Sequence, residues 1–130
     1  MQERKLFSSG AKWEEIVGYS RAVRVGNVIE ISGTTAVNGE TVIGENDIYE
    51  QTIFILNKIA RTLAEAGSRM EDVVRTRMFV TDISKWEEVA KAHGMFFKHI
   101  KPVTTMVEVK QLIDKKLLIE IEATAIITES

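Results

Sequence analysis

The chain has 130 residues, 45% of them hydrophobic and 28% charged, with a formal net charge of −2. This is the length of one domain and enough to bury a core without covalent or metal staples, so a single domain over residues 1–130 is expected. The absence of cysteine excludes a disulfide framework, a thiolate metal site and a cysteine nucleophile, and makes the cytoplasm the expected compartment. The charge balance argues against nucleic-acid binding, which needs a basic face to displace counterions.

Met1–Ser9 carries Glu3, Arg4 and Lys5 and no apolar stretch, so it does not read as a signal peptide. No apolar run approaches the roughly 20 residues that span a bilayer, and no membrane is expected. Ser20–Val25 and Val28–Thr34 are predicted strands around Gly26-Asn27, a pair suited to a two-residue hairpin loop. Asn38-Gly39 predicts a second tight turn, with Glu40–Ile43 returning as a short strand.

Asp47 predicts a helix start, with Glu50 in capping-box spacing. Ile48, Thr52, Ile55, Leu56, Ile59 and Leu63 share one stripe of it, and Gly67 is the expected stop. Val73–Val80 alternates and is β-branched, which predicts a strand. Ser84 predicts a second capped helix with the stripe Trp86, Val89, Ala90, His93, Phe96, Phe97 and Ile100, ended by Pro102. Thr104–Val109 and Leu117–Ile127 are the last predicted strands.

The order β-β-β-α-β-α-β-β predicts an α+β two-layer sandwich, with both helices on one face of a sheet. Period-two alternation assigns Val74, Met78, Val80, Val107, Val109, Ile119, Ile121, Ala123, Ala125 and Ile127 to the helix side. The opposite face then carries Glu30, Ser32, Arg75, Arg77, Phe79, Thr104, Met106, Glu108, Glu120 and Glu122. Such a face is either solvated or a subunit interface in which arginines meet carboxylates; arginine and aromatic side chains lean toward the second.

His93 lies on the apolar stripe, as a hydrogen-bonded core histidine would. His99 falls near the helix end, where a cation suits the dipole. Their spacing is not that of a helical metal pair, so no metal site is expected. There is no Gly-rich phosphate loop and no nucleophile motif.

Three stretches together resemble the Rid (YjgF-type, "endoribonuclease L-PSP") family. They are Gly18–Asn27 with Ile31-Ser32-Gly33, then Val73–Asp82, then Pro102–Val109 with Ile119–Ala123. The match runs from about Trp13 to the end, in order. The resemblance implies a homotrimer of chorismate-mutase-like fold, mixed sheets around a central axis, helices outside and ligand clefts between subunits. It implies hydrolysis of reactive enamines and imines such as 2-aminoacrylate to a 2-keto acid and ammonia, with no cofactor or metal.

It also implies site residues. Tyr19 matches the cleft tyrosine, Gly33 the glycine whose amide meets ligand, and Glu120 the carboxylate that orients or activates water; an interface ion pair is the alternative for Glu120. The family's Pro-Ala-Arg-Ser/Thr signature reads Pro102-Val103-Thr104-Thr105 here. Thr104 thus stands where an arginine would clamp the substrate carboxylate, and the chain resembles an arginine-lacking subgroup. The ligand-binding set expected is Tyr19, Gly33, Arg77, Thr104 and Thr105. Arg77 either supplies a different anion geometry or neutralises Glu108, Glu120 or Glu122. The alternative to a hydrolase is a metabolite-binding or regulatory trimer.

Overall fold

The computed structural model describes residues 3–128. Strand β1 (Arg4–Phe7) and the short helix α1 (Lys12–Val17) precede the hairpin β2 (Ala22–Val25) and β3 (Val28–Thr34). A two-residue ribbon, β4 (Val37–Asn38) and β5 (Thr41–Val42), turns at Asn38-Gly39 as predicted, with Gly39 at φ +66°. Helix α2 (Ile48–Glu65), β6 (Val73–Val80), α3 (Trp86–Phe97), β7 (Val103–Glu108) and β8 (Ile119–Ile126) follow.

The main sheet runs β1-β2-β3-β8-β6-β7. Its pairs are antiparallel except for β6 and β7, which are parallel. That makes a mixed sheet, and α2 and α3 cover one face of it. The α+β expectation therefore holds, with β1 and α1 added at the N-terminal end. Neither was predicted, because each is too short to show a period.

Helix α2 forms for the reasons its sequence gives. Asp47 Oδ1 accepts the Glu50 N–H at 3.0 Å, satisfying one of the unpaired donors at a helix start. The whole predicted stripe is buried, and Gln51 and Thr62 join it. At the other end Gly67 takes φ +87°. Its N–H reaches Ala64 O at 3.1 Å, and the Ser68 N–H reaches Leu63 O at 2.8 Å, a Schellman stop that needs the left-handed residue.

Three expectations are corrected. Asp82, not Ser84, is the capping residue before α3: Asp82 Oδ1 accepts from the Ser84 N–H at 3.0 Å and opens a 3₁₀ turn over Ile83–Lys85. The turn rotates the start of α3, so Trp86 is 52% exposed and Ala90 is exposed, while Val89, Ala92 and Phe97 carry the buried stripe.

Val74 is 40% exposed rather than facing the helices. The β6–β8 register slips between Val73 and Arg75, a bulge that puts Val73 and Thr76 into the core in its place.

On β7 the two faces are exchanged. Thr104 pairs with the buried Thr76 and Met106 with the buried Met78, so Thr104 and Met106 lie on the helix side; Val103, Thr105 and Val107 stand beside Arg75, Arg77 and Phe79 on the open face. Both sides of this edge strand carry an apolar residue, so alternation alone cannot orient it.

Candidate functional site

The site begins where β3 leaves its register with β8. Pairing runs from Ile31–Ala123 to Thr34–Ile121 and slips at Ser32 and Gly33 between them. Glu120 projects onto the open face, between Ile119 and Ile121, whose fully buried side chains anchor the strand from the other side. Its carboxyl lies against Gly33, where a β-carbon would stand 2.9 Å from Glu120 Cδ and 3.3 Å from Cγ. Glycine is needed here for space, since its φ is not in the left-handed region. Ser32 Oγ donates to Ser20 O at 2.6 Å, and Arg21 Nη2 donates to Gly33 O at 2.6 Å. These two bonds fix the irregular backbone beside the carboxyl.

Electrostatics at Glu120 favour the protonated form. Burial raises its pKa, the neighbouring Glu122 carboxylate adds to the rise, and Arg21 opposes both. A carboxyl moved up from its ordinary range is better matched to proton transfer near neutral pH than a solvated glutamate.

Helix α1 roofs this corner. Its Glu14 is buried and accepts hydrogen bonds from Ser8 Oγ at 2.9 Å, from Ser9 Oγ and from the Ser9 N–H. Burial works against its charge, but the Ser9 and Ser8 bonds outweigh that and hold its carboxyl below the usual range. Gly18, at φ +88°, ends α1 with its N–H on Glu14 O at 2.9 Å. The turn delivers Tyr19 to the open face, where it is 38% exposed. A concavity of about 710 Å³ spreads from here over the sheet, lined by Tyr19, Ser20, Ser32, Arg77 and Glu122 among others. Glu120 lies outside that lining, next to the bulge.

The remaining expected residues make contacts of their own. Arg77 Nη1 donates to Glu122 Oε1 at 3.2 Å in a half-exposed ion pair, the neutralising arrangement anticipated as one of its two roles. Thr105 is its register neighbour on β7. Thr104 Oγ1 is 2.7 Å from Thr76 Oγ1, which is in turn 2.9 Å from His93 Nε2. His93 is thus a hydrogen-bonded histidine of the packed side, and burial lowers its pKa. Within one chain, Thr104 and Glu120 stand on opposite faces, and their strands are separated by β6, about 10 Å at ordinary strand spacing.

The fold therefore sets Gly33 against Glu120 and lines the adjoining concavity with Tyr19 and Arg77, while Thr105 stands beside Arg77 on β7 and Thr104 lies on the helix side. The sequence reading gave no role to Arg21 or Glu14. Their parts depend on contacts across the fold, with the Gly33 carbonyl and with Ser8 and Ser9, which no local period announces. Among the described residues no cluster of three His, Asp or Glu is placed to hold a metal, and no helix is long and apolar enough to cross a membrane.

A mixed sheet with two helices on one face is the architecture of YjgF-type proteins. The chain belongs to the family described as Endoribonuclease L-PSP, which it matches over residues 10–127. Among solved structures it is similar to a YjgF/YER057c/UK114 family member from Mycobacterium tuberculosis, with a TM-score of 0.88 and 47% identity over 96% of this chain and 100% of that one. A RutC family protein of Pyrococcus abyssi is 36% identical over 126 residues, 96% of this chain and 98% of the relative. An uncharacterized protein of Streptomyces coelicolor is 38% identical over 117 residues, 90% of this chain and 87% of the relative.

Proposed function

We propose that this protein hydrolyses small, reactive enamines and imines of the 2-aminoacrylate type to a 2-keto acid and ammonia, in clefts between the subunits of a cytoplasmic homotrimer. The observation that carries the reading is the Glu120 carboxyl, half-buried, raised in pKa and set against the backbone of Gly33.

The chemistry needs one proton acceptor and one electrophilic carbon. The enamine takes a proton from solvent on carbon to become the protonated imine. Water adds to the C=N carbon as the Glu120 carboxylate accepts one of its protons. The carbinolamine then collapses: Glu120 returns that proton to nitrogen, the C–N bond breaks and ammonia leaves, and the hydroxyl proton goes to solvent in place of the one taken up on carbon, giving the keto acid. Tyr19 borders the site and Gly33 offers backbone to the ligand.

The subunit arrangement is supported by the separation of the two halves. Thr104 and Glu120 cannot meet within one chain, because β6 lies between their strands and they face opposite sides. A cleft that uses both takes the β7 edge of one copy and the Glu120 corner of another.

The second reading is a metabolite-binding or regulatory trimer. Thr104 favours it. The residue is uncharged, and its hydroxyl is already shared with Thr76, so it offers one neutral hydrogen bond where a guanidinium would offer two charged ones. The endoribonuclease of the family's description is not extended to this chain, whose net charge of −2 provides no basic footprint for RNA.

A coupled assay separates the readings. A serine/threonine dehydratase supplies 2-aminoacrylate, and the wild type is compared with Thr104→Arg. Faster keto-acid release by the wild type supports the hydrolase. An inert wild type with an active Thr104→Arg supports the binding trimer, with an intact cleft that lacks its clamp.

A further inference from the structure

If the Glu120 corner takes a carboxylate-bearing ligand, some cation must meet it, and Thr104 is not one. This question rests on the reading above. Four arginines of the hairpin and central strand differ in what they are committed to. Arg75 lines the concavity without an ion pair among the described residues, but it stands on β6, two strands from β3 and Gly33. Arg77 gives Nη1 to Glu122. Arg24 is tied to two backbone carbonyls, Nε to Gly26 O at 2.9 Å and Nη1 to Ala66 O at 2.6 Å. Arg21 is different.

Arg21 is half-buried under α1, and its Nη2 holds Gly33 O. Its Nε is buried with no hydrogen-bond partner among the described residues. Burial lowers the pKa of the guanidinium, and the electrostatic influence of Tyr19, Glu14 and Glu120 opposes that. Yet neither Glu14 nor Glu120 forms an ion pair with it among the described residues. Glu14 spends its oxygens on Ser8 and Ser9 instead. Lys58 of α2, whose Nζ donates to Val37 O at 3.0 Å, is a second cation nearby, its pKa lowered by burial and by the Arg21 charge.

A desolvated guanidinium with an unused N–H and no paired anion is costly to keep. The planar fork is suited to a carboxylate above other partners. Glu14, Tyr19, Ser20 and Ser32, which flank Arg21, line the concavity, so the guanidinium lies alongside it. Gly33 stands between the cation and the acid, with its carbonyl on Arg21 and its Cα against the Glu120 carboxyl.

We propose that Arg21 binds the carboxylate of a small 2-keto or 2-imino acid in the Glu120 site, supplying from the β2–β3 side the charge that Thr104 lacks.

The test is calorimetric titration of the purified full chain, in its native assembly, with pyruvate and with the neutral pyruvamide. Wild type is expected to bind pyruvate at least about tenfold more tightly than pyruvamide, the scale of one charge-assisted contact. Arg21→Gln also removes the bond to Gly33 O, so any loss common to both compounds is set aside and the ratio is read: the preference for pyruvate over pyruvamide is expected to fall to about onefold, a charge-specific result that a loosened fold would not produce. Arg21→Lys keeps the charge but not the fork, and is expected to bind pyruvate about threefold or more weaker than wild type; it decides the matter should Arg21→Gln not fold. Undiminished pyruvate affinity in the folded variant overturns the role of Arg21 and leaves the cleft reading standing. A wild type that binds neither compound overturns both.

Discussion

Gly33 and Glu120 touch across the β3–β8 pair, and the contact leaves no room for a side chain at position 33. A β-carbon there would sit 2.9 Å from Glu120 Cδ. The far end of a glutamate can swing aside where a backbone cannot, so Gly33→Ala is expected to fold with a stability change of about 1 kcal/mol or less. Ligand binding and turnover should fall together, because the displaced carboxyl no longer faces the site. Thermal unfolding alongside the coupled assay checks this; normal turnover would mean the contact is incidental.

Gln51 ties together three segments that the sheet alone does not join. It is fully buried, its Nε2 donates to Lys116 O at 2.9 Å and Gly44 O at 3.2 Å, and its Oε1 accepts the Leu118 N–H at 2.8 Å. Gln51→Leu keeps the volume but strands the half-buried Leu118 N–H and Gly44 carbonyl, while the exposed Lys116 carbonyl can turn to water. A loss of about 1–3 kcal/mol per stranded group is the expected order, read as a lower denaturation midpoint with an unchanged slope.

Much of the fold was legible in the sequence where one period dominates. In α2 the cap at Asp47, the stripe from Ile48 to Leu63 and the stop at Gly67 all stand where expected. In β6 the alternation of Arg75, Arg77 and Phe79 against Met78 and Val80 holds, and only the bulge at Val74 broke it. The failures share a cause. Strand β7 has apolar residues on both sides, so its orientation is decided by its register with β6, which is a contact far away in sequence. The site was half legible. Glu120 and Gly33 came from the family resemblance, and the structure places them in contact. Arg21 could not be found from its own stretch, because its meaning lies in a carbonyl twelve residues on and an unpaired N–H.

Thr76 shares its hydroxyl between His93 and Thr104. Thr76→Val removes the bridge and leaves His93 Nε2 without its partner, at a cost of about 1–3 kcal/mol. The histidine also sets an acid limit. Its folded pKa is depressed from 6.5 by burial, so the unfolded chain takes up the proton first. Its contribution to stability is whole above pH 6.5 and is lost as pH falls from there toward the folded value. Unfolding midpoints measured across that window should decline in wild type and flatten in His93→Gln.

The pKa of Glu120 runs the other way, raised from 4.5. Its protonated form suits the folded state, so that stability is full below pH 4.5 and is lost as pH rises through the folded value. Glu120→Gln should accordingly match wild type in acid and be no less stable at neutral pH, although it lacks the base. The direct measurement is the rate of 2-aminoacrylate hydrolysis against pH for wild type and Glu120→Gln. Wild type is predicted to exceed buffer, with a rising limb displaced above the ordinary glutamate range, and Glu120→Gln to lose about 100-fold or more. A Glu120→Gln protein that hydrolyses at the wild-type rate, or a wild type no faster than buffer, contradicts the account.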